Sequence, residues 1–364
     1  MTKSASRDVS VIESSGEQID IAHYRKTAPL FSALFATLVV AVIIGVAVGT
    51  VAIPPRAVLE LIASRLSELG MAAPYPDKFA IILFEIRLPR VALMAITGAS
   101  LAAAGATYQG LFRNPLADPY LVGVAAGAGL GATLVISSPF SNSLLGLQAV
   151  PLGAFLGGIV TVGFVTIAAR VGRTTPITTV LLAGVAIGSF ASAFTTFWML
   201  RSPDGLWRAF NWMLGGHVGG GWKPAQIILI YLIVGFLVLQ LNARSLNVLQ
   251  LGEEQAQQLG IRVEHLKLVL LGAATLMTAA AVAFGGLIGF VGLVVPHIMR
   301  MLGGPDYRRL IPLSILGGAA FLIMCDLLAR TIIAPQEVPV GVITALTGTP
   351  FFIFLLRRLK QSVF

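Results

Sequence analysis

Charge is scarce in these 364 residues: Asp, Glu, Lys and Arg make up only 11%, against 56% hydrophobic residues and a mean hydropathy of +0.88. A soluble chain is about one quarter charged, so a string of water-exposed domains is excluded and a polytopic membrane protein is expected. Cysteine is nearly absent. The single Cys325 rules out a disulfide framework and any multi-cysteine metal site, and it lies in an apolar run with no access for thiol chemistry. None of the six lysines follows a glycine, which excludes a Gly-x-x-x-x-Gly-Lys-Ser/Thr phosphate loop, so the chain is not itself an ATPase. The seven aspartates are isolated from one another, unlike the clustered aspartates of magnesium-dependent membrane transferases. His23, His217, His265 and His297 fall on different segments without metal-ligand spacing. No catalytic residue and no resident metal are therefore expected. The net charge of +9 sits at the ends of apolar stretches and reads as bilayer orientation, with lipid and not nucleic acid as the contact.

Eight stretches lack Asp, Glu, Lys and Arg: 27–55, 91–112, 119–169, 174–200, 224–243, 268–299, 310–325 and 338–356. A helix needs about 20 residues to cross the hydrocarbon core. The third stretch is interrupted by Ser137-Ser-Pro-Phe-Ser-Asn-Ser143 and reads as two spans. The sixth is too long for one span and too short for two full ones; Gly285, Gly286 and Gly289 near its middle predict two helices, at least one of them short. The expectation is an all-α polytopic membrane protein of about ten transmembrane helices. Nine of the 25 basic residues, among them Arg56, Arg87, Arg90, Lys223 and Arg330, fall on one side and the rest on the other, which places both termini in the cytoplasm. The predicted organisation is a disordered cytoplasmic tail at 1–29, a ten-helix domain at 30–356 with a cytoplasmic segment at 243–267, and a cytoplasmic tail at 357–364. The first apolar stretch is too long for a signal-peptide core and reads as a retained span.

Lipid supplies no hydrophobic push between helices, so they associate where small residues let backbones approach. The thirty-nine glycines include Gly123, Gly127 and Gly131 on one face, and the pairs Gly153/Gly157 and Gly184/Gly188. Gly127-Ala-Gly-Leu-Gly131 loosely matches a dinucleotide fingerprint, but no strand precedes it and packing is the better reading. Segments 98–119 and 272–296 share a faint pattern of small residues, Gly-Leu and a later Pro, and would form an inverted repeat. Leu251-Gly-Glu-Glu-Gln-Ala-Gln-Gln-Leu-Gly260 predicts a short helix bracketed by glycines, with Glu253 and Glu254 at its positive end and Leu251, Ala256 and Leu259 on an apolar face. It is either a knob for a partner or a solvated connector. Arg87, Arg90 and Arg330, on the outer side, are either a basic rim for an external partner's carboxylates or interfacial side chains, Arg330 being spaced to pair with Asp326. Asn114-Pro115 sits in a proline-bounded turn that is a plain connection or a gate. Thr178 and Thr179 face a pore or bond back to their helix.

Several motifs in order resemble one family, the FecCD/BtuC-like permease subunits of ABC importers for iron-siderophores, haem and cobalamin. They are Arg87-Leu-Pro-Arg90, Asn114-Pro-Leu-Ala-Asp-Pro119, Leu182-Ala-Gly184, Trp212-Met-Leu-Gly-Gly216, Leu251 to Gly260, Gly289-Phe-Val-Gly-Leu-Val-Val-Pro-His297 and Pro339-Val-Gly341. The resemblance covers about residues 80–356.

It implies the type II ABC importer permease architecture: a homodimer around a central pathway in a bacterial inner membrane, two cytoplasmic ATPases and a periplasmic or lipid-anchored binding protein. By motif, Arg87, Arg90 and Arg330 look like the residues that receive the binding protein's acidic side chains. Leu251, Gly252, Glu253, Glu254, Gln255, Ala256, Leu259 and Gly260 look like the coupling helix that enters the ATPase. Asn114 and Pro115 resemble a cytoplasmic gate loop, and Thr178 or Thr179 a second gate. No cofactor is expected on the chain; ATP-Mg would sit on the partner, and haem or another metal chelate would be cargo. His297 belongs to a motif shared across substrates, which implies a structural role. Haem or a ferric siderophore is favoured and cobalamin remains open, on the likeness of Phe112 to Pro119 and Leu249 to Glu254. The rival reading is an ATPase-independent carrier or channel, against which Asp326 is the only acid clearly inside a predicted span.

Overall fold

A computed structural model describes residues 28–49, 51, 53–66, 77–138, 148–215 and 220–361. Among them the secondary structure is helical. Ten helices form the bundle: α1 (Ala28–Ala47), α4 (Leu88–Leu111), α5 (Val124–Ile136), α6 (Ala149–Ala168), α7 (Ile177–Leu200), α9 (Lys223–Leu241), α12 (Val263–Gly285), α13 (Val291–Gly303), α14 (Tyr307–Thr331) and α15 (Val340–Gln361). The helices α2 (Pro55–Leu66), α3 (Asp77–Ile81) and α8 (Pro203–Met213) lie toward one end; α10 (Ala243–Leu249) and α11 (Glu253–Gln258) lie toward the other. Ten spans were expected, and six of these helices are long and apolar enough to cross a bilayer on their own account. The long charge-free stretches divide as expected. Stretch 119–169 breaks after Ile136, where Ser137 and Ser138 form a turn while the rest of the polar interruption lies outside the described residues. Stretch 268–299 breaks at 286–290, leaving a 23-residue α12 and a 13-residue α13. The tail 1–27 also lies outside the described residues.

The most deeply placed helix, α4, is not among the six, and the reason is physical. It is buried without interruption from Thr97 to Leu111, so its side chains meet other helices and must be small before they are oily. A Cβ on Gly98 would strike the carbonyl of Gly318 in α14, and one on Gly105 the carbonyl of Gly292 in α13. Tyr108 bonds Thr275 of α12 at 2.8 Å, and Gly285 lies beside Thr97. α12 therefore runs antiparallel to α4 and stops near its middle. The glycine stripe foreseen on α5 packs this helix onto α6: Gly131 meets Gly153, and Gly127 meets Gly157 and Thr161. Gly184 of α7 closes on the carbonyl of Leu121.

Two short helices start inside the bundle. The chain leaves α4, turns, and returns as a 3-10 turn, Pro119–Val122, with Pro119 against Gly292. Gly123, at φ 83°, opens α5, and Phe290, at φ 68°, opens α13. Non-helical backbone at this depth is tolerable only where protein or an aqueous cavity satisfies it. Tyr120 does so, its hydroxyl donating to the Ile288 carbonyl at 2.9 Å and accepting from the Ile288 N–H at 3.0 Å.

The close contacts make a stability prediction. Gly105→Val and Gly98→Val force backbone apart in a filled core and should each lower stability by about 1–3 kcal/mol or more. Gly272→Ala, where a Cβ meets nothing within 4 Å, should be neutral or stabilising. Thermal unfolding of the purified protein in detergent checks the contrast.

Candidate functional site

At the α8 end, the chain enters α4 through a π-helical turn, Ile82–Arg87, followed by Pro89. A π turn offsets the helix face and often marks a functional position. It aims Arg87 inward, where the residue is 5% exposed and donates to the carbonyls of Val46 (3.0 Å), Ala47 (2.9 Å) and Val51. Arg330 donates to Val48 (3.3 Å) and Gly45 (3.1 Å) and pairs with Asp326 at 2.9 Å, the i,i+4 pair its spacing allowed. These carbonyls belong to the last turn of α1 and the residues after it, which have no partner inside the helix. Arg90 donates to Asp326 at 2.9 Å and to both Glu337 oxygens at 2.9 and 3.1 Å. Arg90 and Arg330 thus meet on Asp326, and Arg87 and Arg330 on the carbonyls at the end of α1. Asp326 is fully buried between two guanidinium groups; Arg90 and the half-exposed Glu337 keep the edge that faces outward. Glu337 was not singled out in the sequence, although Pro339-Val-Gly341 beside it was.

At the other end, α11 is the predicted short helix. Gly252 precedes it at φ 126°, Gly260 follows at φ 83°, and Glu253 and Glu254 occupy its first turn. Leu251 and Leu259 are each 64% exposed, and Glu254 and Gln255 are exposed as well. Ala256 points the other way and is fully buried, so the apolar face offered outward consists of the two leucines. Glu253 is held by Lys267 of α12 at 2.6 Å. Lys267 escaped notice as part of a charged loop; its signal was a lone lysine between Leu266 and Leu268 at the start of an apolar helix.

The Asn114 turn lies next to this end. Arg113 has φ 49°, and the Asn114 side chain accepts from the Leu116 N–H at 2.9 Å. Asp118 accepts from the Tyr120 N–H at 2.8 Å, while His297 is buried in α13. Thr179 bonds the carbonyls of Ala169 and Pro176 at 2.9 and 2.7 Å, whereas Thr178 is exposed. Between these ends, α5, α7 and the 286–290 break border an open cavity of about 580 Å³. Its wall carries Gly184, Gly188, Ser189 and Ser192 of α7, with both serines exposed. A helix with glycines on one side and hydroxyls beside them can pack closely and still face water. The arrangement holds no set of three or more metal-ligating side chains among the described residues.

The FecCD transport family model matches residues 37–358. The cobalamin import system permease protein BtuC of Halobacterium salinarum is 44% identical over 293 residues, 79% of this chain and 78% of the relative. The hemin transport system permease protein HmuU of Yersinia pestis is 42% identical over 283 residues, 77% of this chain and 84% of the relative. A solved inward-facing conformation of a metal-chelate type ABC transporter superposes with a TM-score of 0.75 at 26% identity, covering 91% of this chain and 99% of that one.

The buried network makes a sharp prediction. Asp326→Ala leaves the buried Arg330 without its counter-charge and Arg90 with only the half-exposed Glu337, and should cost about 3–5 kcal/mol. Glu337→Ala removes a half-exposed, solvent-screened partner and should cost less than about 1 kcal/mol. Midpoints of thermal unfolding in detergent at low and high salt check both, with salt affecting only the second.

Proposed function

The chain belongs to the FecCD transport family and is the membrane permease of an ABC importer; on that premise we propose that it carries a metal chelate into the cytoplasm by ATP-driven alternating access. The observation that carries this reading is α11, a short helix flanked by two exposed leucines, Leu251 and Leu259, in a chain whose sequence lacks a phosphate loop. Such a helix fits a cleft on a separate ATPase. We propose two copies of the permease, two cytoplasmic ATPases holding ATP-Mg, and a periplasmic or lipid-anchored binding protein, in a bacterial inner membrane with both termini cytoplasmic.

Two neighbouring open cavities support the dimer. The α7 face with Ser189 and Ser192, and the neighbouring open cavity of about 520 Å³ along α15, would be closed by a second copy. ATP binding would draw the ATPases together, α11 would follow, and the two faces would alternate between outward and inward opening. The gates we propose are Asn114-Pro115 and Thr178-Thr179 at the start of α7. Docking of the binding protein is proposed at Arg87, Arg90 and Arg330. Because Arg87 and Arg330 hold the end of α1, Arg90 with Glu337 is the edge available to an acidic side chain. The cargo proposed is haem or a ferric siderophore ahead of cobalamin, on the likeness of segments 112–119 and 249–254; relatives of both the hemin and the cobalamin systems match at similar identity.

Uptake by proteoliposomes containing this chain and its ATPase, offered haem, a ferric siderophore and cobalamin with cognate binding proteins, tests the reading. ATP-dependent accumulation of one chelate is expected. Accumulation without ATP would instead make the chain a carrier.

Coupling is tested separately. Leu251→Asp with Leu259→Asp removes two apolar contacts worth about 1.5–3 kcal/mol each if fully buried by the partner. The double variant should bind the ATPase at least tenfold more weakly, measured by co-purification, while unfolding at an unchanged temperature because both side chains are already exposed.

A further inference from the structure

We infer that Lys267 is a positioning residue that clasps the coupling helix to the start of α7, so that displacement of one is transmitted to the other. The inference rests on the permease reading, and goes beyond it by assigning the link within the chain. Lys267 stands in the second turn of α12 with its side chain 7% exposed. A lysine ammonium has three hydrogens to donate. This one donates to Glu253 of α11 at 2.6 Å, to Glu264 of α12 at 3.0 Å and to the carbonyl of Thr175 at 3.3 Å. Glu264 completes the clasp by accepting from the Thr175 N–H at 2.9 Å. Both backbone groups of Thr175 are thereby held, and Thr175 is two residues ahead of α7.

The surroundings make this a joint and not merely a filled hole. Glycines with left-handed φ stand at both ends of α11, at 126° and 83°, so the short helix can pivot on its connections. Lys267 crosses that pivot with a charge-assisted bond. Lys267 lines a small cavity of about 20 Å³ together with Leu111 and Phe112 at the end of α4 and Ile177 and Val180 at the start of α7. If Glu253 moves, either the ammonium follows and Thr175 with it, or a largely buried ion pair must break. Thr178 and Thr179 lie one turn further along the same helix.

The test uses the complete transporter in proteoliposomes and reads ATP hydrolysed per chelate accumulated. Lys267→Met keeps the apolar stem and removes the ammonium; Glu264→Gln keeps its size and weakens the hold on Thr175; Lys267→Arg restores a cation. In Lys267→Met and Glu264→Gln, hydrolysis should stay within about twofold of the unsubstituted transporter while accumulation per ATP falls at least fivefold, and Lys267→Arg should recover at least half. A parallel fall in hydrolysis and accumulation, or an unchanged ratio, overturns the inference, since a merely structural role lowers assembled transporter without changing its stoichiometry. Should Lys267→Met fail to assemble, Glu264→Gln alone decides. If the unsubstituted protein accumulates chelate without ATP, the permease reading itself has failed; if it couples and the variants keep its ratio, only the clasp has.

Discussion

Inside a hydrocarbon layer a helix gains nothing from hiding its leucines against another helix, because lipid tails are as apolar as leucine. What remains is how closely two backbones can approach. Contacts such as Gly98 with Gly318, Gly105 with Gly292 and Gly131 with Gly153 bring carbonyls to where a Cβ would have to stand. The rest of the molecule depends on them. They hold α4, α13 and α14 so closely that the 3-10 turn 119–122 and the break 286–290 can sit within the bundle, joined by the two hydrogen bonds of the Tyr120 hydroxyl to Ile288. Without that closeness the breaks would lie open to lipid, and helices of 13 residues would have no reason to start there.

Charge does the opposite task, fixing elements that small residues cannot. At one end Arg87 and Arg330 take the unpaired carbonyls near the end of α1, with Asp326 balancing the cluster. At the other, Lys267 draws together a connecting loop, a short helix and the start of a span. Buried ions contribute little net stability over apolar groups of the same shape, but they specify geometry, since a guanidinium or ammonium misplaced by 1 Å loses partners that nothing else can replace. Both clusters sit where a helix ends, which is where orphaned carbonyls and mobile connections are found.

The number of spans, the two breaks and the glycine-bracketed α11 were legible because each is a local property: length without charge, Gly or Pro inside an apolar run, acid at a helix start. The family was legible because its motifs are short and ordered along the chain. What could not be read was which charged residues meet. Arg90 and Asp326 are 236 positions apart, and Lys267 and Thr175 92 apart; only the fold brings them together. The same limit explains Ala256, placed with Leu251 and Leu259 by helical spacing. A helix of six residues has too few turns for periodicity to distinguish an inward face from an outward one.

The unequal burial of the helices constrains how such a bundle can move. In α12 and α14, 78% and 72% of the most apolar window is buried within the chain; in α7 the figure is 22%. Sliding α4 against α14 would drive Gly98 and Gly318 into side chains, because that contact has no second arrangement. α7 touches its own chain along a narrow stripe, Gly184 against Leu121 and Gly188 near Gly123 and Ala126, and leaves most of its surface for other partners. A rocking motion on that stripe breaks few contacts. It would have to be driven from the end of α7 nearest α11, where Thr175 is gripped from both sides, because the rest of the helix offers no comparable handle. The fold thus sets a rigid block, made of glycine contacts, beside a lightly held helix with a charged tether at its base.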